Sequence, residues 1–90
     1  MDDILMLFKL NIGVTSDAKK TLFEARIRSA IDELARRGVV IDEQSADDQM
    51  LVADYAAWLH EKRDSKDPVP THIENRISNR KTKARSEHDA

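Results

Sequence analysis

A chain of ninety residues suits one small domain, burying roughly 60 to 65 % of the surface it exposes when unfolded, too little to enclose a large active site. The composition is 36 % charged, 40 % hydrophobic and 4 % aromatic, with two Gly and two Pro, which favours a helix-rich fold cored by Leu, Ile, Val and Ala over a many-turned sheet. Without cysteine there are no disulfides, thiolate metal sites or cysteine nucleophiles, and no apolar run nears the roughly 20 residues that span a bilayer. The net charge of −2 is uneven: residues 1–70 carry ten Lys and Arg against fourteen Asp and Glu, residues 71–90 five against three.

The opening DDILMLFKLNIG is acidic ahead of its apolar stretch, unlike a secretory signal, which is basic there. It predicts a helix over 3–11, started by Asp2 or Asp3 and stopped by Gly13. Ile4, Leu7, Phe8 and Ile12 are expected to face inward, with Lys9 in water.

Residues 17–37 read as the clearest helix. Thr15 or Ser16 can accept an amide hydrogen at its start, Asp17 suits the first turn, Arg36 and Arg37 suit the last, and Gly38 can take the left-handed stop. Phe23, Ile27, Ala30, Ile31 and Leu34 recur at three- and four-residue steps and form one stripe. An extended link, Val39 to Ile41, leads to Ser45 as the cap of a third helix over 46–63. Its stripe is Leu51, Tyr55, Trp58 and Leu59, with Met50, Val52 and Ala56 on the shoulders. Tyr55 and Trp58 are read as core anchors rather than stacking platforms.

Pro68 and Pro70 interrupt the chain, since each lacks an amide donor and disfavours helical angles in the residue before it. Thr71 can cap a fourth helix whose stripe, Ile73, Ile77 and Ala84, is too thin to fold alone, so it must dock or fray. The expected architecture is all-α: a helical body over 1–67, a hinge and basic arm over 68–85, and a disordered tail over 86–90.

Catalytic and cofactor motifs are lacking: no Gly-rich phosphate loop, H-E-x-x-H, EF-hand loop or G-x-S-x-G occurs. No enzyme activity, cofactor or metal is expected. His60, His72 and His88 are too dispersed to share a metal. Pairs such as Asp32 with Glu33 and Asp47 with Asp48 read as solvated faces and helix starts, because adjacent helical residues point in different directions. The basic arm has three readings: Arg76, Arg80, Lys81 and Lys83 can neutralise phosphates, meet an acidic protein surface, or keep a helix end soluble.

The order of elements, over roughly Ile4 to Lys83, resembles the small head–tail connector (adaptor, or head-completion) proteins of tailed bacteriophages and prophages. The resemblance starts in LNIGVTSDAKKTLFEARIRSAIDEL, a Leu-x-Ile loop followed by a long amphipathic helix. Its more specific part is MLVADYAAWLHEKRDSKDPVPTHIENRISNRK: a Tyr55, Ala56, Trp58, Leu59 core, a Lys62, Arg63, Asp64 exit, a joint with Pro70, and the Asn79, Arg80 pair. The joint departs from the pattern, with Thr71 and His72 where many relatives carry a basic and a bulky apolar residue.

The resemblance implies a non-catalytic virion protein, made in the bacterial cytoplasm and placed in the neck. There it forms a homo-oligomeric ring under the portal, extends the channel for double-stranded DNA without reading its sequence, and offers a platform to stopper or tail-completion proteins. No membrane is involved. Ile73, Arg76, Ile77, Asn79, Arg80, Lys81 and Lys83 are then expected to meet the portal or a neighbouring subunit. The alternative is a small helical nucleic-acid-binding or regulatory protein using the basic arm. The long link and acidic SADDQ start of the third helix oppose a helix-turn-helix. An antitoxin-like protein whose arm folds on its target is a third possibility.

Overall fold

The computed structural model describes residues 1–62 and 67–89, with 82–89 by backbone alone. It contains four helices, α1 (Asp2–Ile12), α2 (Lys20–Arg36), α3 (Ala46–Lys62) and α4 (Thr71–Asp89), and no strand among the described residues. Among these residues no helix is long and apolar enough to cross a membrane.

Each helix boundary has a local cause. Helix α1 starts one residue before the expected position, with Met1 as its cap and Asp2 and Asp3 in the first turn, where their negative charge meets the positive end of the helix dipole. Its end matches the sequence signal: Gly13 adopts φ 73° and the Val14 amide donates back to the Lys9 carbonyl at 2.9 Å. Helix α2 begins later than expected. The Ser16 hydroxyl accepts the Ala18 amide at 3.1 Å, closing a tight side-chain turn, and the chain enters the helix only at Lys20. Gly38 then takes φ 93°, and the Val39 amide reaches the Leu34 carbonyl at 2.8 Å while Val39 is buried.

Ser45 caps α3 as its spacing predicts, its hydroxyl accepting the Asp48 amide at 3.3 Å. Instead of returning to Ser45, the Asp48 carboxylate accepts the Asp42 amide at 2.8 Å, which fixes the α2–α3 link. Pro70 takes the cap position expected of Thr71, which is instead the first residue of α4: the Pro70 carbonyl accepts the Ile73 and Glu74 amides, both at 3.0 Å. Helix α4 extends to Asp89, past the limit at residue 85 expected from sequence and through most of the segment expected to be a disordered tail.

Helix α3 is the centre of the molecule, packing against α1, α2 and α4. Leu51, Val52, Ala53, Tyr55, Ala56 and Ala57 are all buried, so apolar surface encircles more of the helix than the expected stripe and shoulders, although Met50, expected on a shoulder, is exposed. Small Ala side chains let three neighbours approach one cylinder. Ile4, Phe8, Phe23, Ile27, Leu34 and Leu51 join this core, as expected. Leu7, Ile31, Trp58 and Leu59, also expected in the core, are half-buried at its margin, whereas Leu5 is buried. The Phe8 and Phe23 rings meet with centroids 5.3 Å apart, and His60 stands edge-on to both. Lys9, expected in water, has a side chain only 15 % exposed and pairs with Asp17 at 2.6 Å, tying the α1–α2 link to α1.

Candidate partner-binding surface

Helix α4 carries all the residues expected to meet a partner, and it lies on α3. Ile73 and Ile77, one turn apart, are buried in the chain's own core. The thin stripe is therefore sufficient when α3 supplies the opposing surface.

Three ion pairs flank these isoleucines. Arg76 reaches Asp54 at 2.6 Å, and the other oxygen of Asp54 accepts the Asn11 side-chain amide at 2.9 Å, so one carboxylate links α4, α3 and α1. Arg80 grips Asp48 through Nε at 3.0 Å and a terminal nitrogen at 3.1 Å, and that nitrogen also donates to the Val40 carbonyl at 3.0 Å. Such fork-to-fork pairing fixes direction as well as distance. Arg37, at the end of α2, donates to Glu74 at 2.8 Å. This hydrogen bond holds the Glu74 carboxyl below the usual carboxylate range and raises the Arg37 guanidinium further above its ordinary value.

Asp48 is the residue sequence reading missed. With Asp47 it reads as a solvated helix start, and Asp47 is indeed exposed, but Asp48 is only 3 % exposed. Its burial depends on an arginine 32 positions away, which no local spacing reveals.

The other expected contact residues are placed differently. Asn79 is exposed and lines an open groove of about 560 Å³ with Asp42, Ser45, Asp47, Arg76 and Arg80. Lys81 is half-buried and passes its aliphatic stem over Gly38. Lys83 lies outside the described side chains. The inward face of α4 thus has partners within this chain, and its outward face presents His72, Asn75, Ser78 and Asn79 to solvent. Arg76 and Arg80, counted among the basic residues able to meet phosphates, face carboxylates instead. Comparison with protein-family models, with curated proteins and with solved structures finds no match to this chain.

Proposed function

We propose that this chain is a structural head–tail connector of a tailed bacteriophage or prophage. It assembles as a ring under the portal, lengthens the DNA channel and presents a platform for stopper or tail-completion proteins. The sequence resemblance around Tyr55, Ala56, Trp58, Leu59, Asn79 and Arg80 supports this reading. The all-helical architecture is compatible with it.

The observation that carries the reading is how α4 is attached. A helix beyond Pro68 and Pro70 lies on α3 through two isoleucines and carboxylate–guanidinium pairs. Contacts of this kind can be exchanged for equivalent acids and apolar pockets on another molecule, because the loss of one pair is offset by the gain of the other. In this reading the three-helix body makes the ring contacts, and the prolyl-jointed arm reaches the portal or a neighbouring subunit through Ile73, Arg76, Ile77, Arg80 and the outward Asn79.

The nucleic-acid alternative is weaker because a phosphate backbone could replace Asp54 and Asp48 as partners of Arg76 and Arg80 but offers no apolar pocket to replace the one that holds Ile73 and Ile77. Size-exclusion chromatography with light scattering, on the chain alone and mixed with its cognate portal ring, tests the proposal. Co-migration at a ring-sized mass is expected. A chain that ignores the portal but shifts double-stranded DNA would replace this reading with the alternative.

A further inference from the structure

Helix α1 turns Ile4, Leu5 and Phe8 to the core and leaves Met6 and Leu10, one turn apart, 58 % and 68 % exposed. They border a groove of about 460 Å³ between α1 and the segment leading into α2, with Leu5 and Val14 in its walls. Asp2, Lys9, Asp17 and Lys20 also line it.

The two ends of the groove carry opposite charge. Exposed Asp2 and Asp3 mark one end. The Lys9–Asp17 pair at 2.6 Å and the Phe8–Phe23 contact set the start of α2 beside the later turns of α1, where Lys9, Lys19 and Lys20 outnumber Asp17 and Glu24, the latter 4.0 Å from Lys20. At 1.5 Å per residue, that is about 10 Å along the axis from Asp2. An apolar ridge with a net acidic end and a net basic end is self-complementary about a two-fold axis through its middle. A parallel pairing would instead set like charges side by side.

We infer that the α1 groove is a self-association surface on which a second copy lays its own α1 antiparallel. Met6 and Leu10 of both copies pack across the axis, and Asp2 and Asp3 of each face Lys19 and Lys20 of the other. The surface is small, so the pair is a weak, concentration-dependent one. It goes beyond the connector reading: a ring requires head-to-tail contacts, whereas this contact closes on two copies and belongs to the free chain.

Sedimentation velocity over a concentration series tests it. The average mass rises from one chain toward two, and added salt reverses the rise. Leu10→Arg keeps the chain monomeric, while Met50→Arg, an equivalent change at an exposed methionine on α3, leaves the association intact. The decisive pair is Asp2→Lys/Asp3→Lys with Lys19→Glu/Lys20→Glu. Each double variant alone is monomeric, because like charges then meet at both ends, and a mixture of the two forms heterodimers, because both ends are repaired. A constant one-chain mass, association that survives Leu10→Arg, or double variants that stay apart when mixed would overturn the inference. Portal co-migration is read in a separate experiment, so failure here leaves the connector reading standing.

Discussion

Replacing Arg80 with alanine removes the guanidinium from a carboxylate that has little access to water. Asp48 is 3 % exposed, so its charge cannot recover full hydration, although the Asp42 amide still donates to it at 2.8 Å. Breaking a buried pair by deleting one partner costs about 3 to 5 kcal/mol. The Arg80 side chain is itself 27 % exposed, which lowers the expected loss to about 2 to 4 kcal/mol. The loss is large against the total of about 5 to 13 kcal/mol for a chain of this length. Urea unfolding followed by far-ultraviolet circular dichroism and by Trp58 fluorescence measures it. The double variant Asp48→Asn/Arg80→Met should recover part of the deficit, since no charge is then buried alone. A loss below about 0.5 kcal/mol for Arg80→Ala would refute the reasoning, because it is what a solvated surface pair yields.

Further outcomes follow from neighbouring contacts. Ile77→Ala, at a site with no exposure, should cost about 2 to 4 kcal/mol in the same assay. Asn79→Ala, two residues on at an exposed position, should stay within about 0.5 kcal/mol of the parent. Gly38→Ala should cost about 1 to 2 kcal/mol, because φ is 93° and the added methyl would lie an unstrained 3.7 Å from Lys81, leaving backbone strain as the penalty. The folded-state pKa of Glu74 lies below its ordinary 4.5, so its contribution is present above that value and is lost as pH falls through the lowered one. Half-exposure keeps the contribution below about 1 kcal/mol, and Arg37→Met should flatten that part of a stability-against-pH titration relative to the parent.

Much of the helical layout was legible in the sequence because its determinants are local. The 3.6-residue recurrence of Phe23, Ile27, Ala30 and Leu34, the stops at Gly13 and Gly38, and the Ser45 cap each act within a turn or two. Boundaries slipped where two local options competed: the Ser16 hydroxyl closed a tight turn instead of starting α2, and Pro70 took the cap position expected of Thr71.

Tertiary structure decided what the charges do. By sequence, Asp48 is a helix-start acid, Lys9 a wet lysine, and Arg76 and Arg80 part of a basic arm. Packing puts Asp48 under Arg80, Lys9 beside Asp17 and Arg76 on Asp54. It also makes α3 a helix buried on several sides and leaves Met6 and Leu10 on a solvent face. Periodicity records which residues share a face of one helix. Which faces meet, and hence which charges are desolvated, depends on contacts between residues tens of positions apart, and helical spacing carries no information about those.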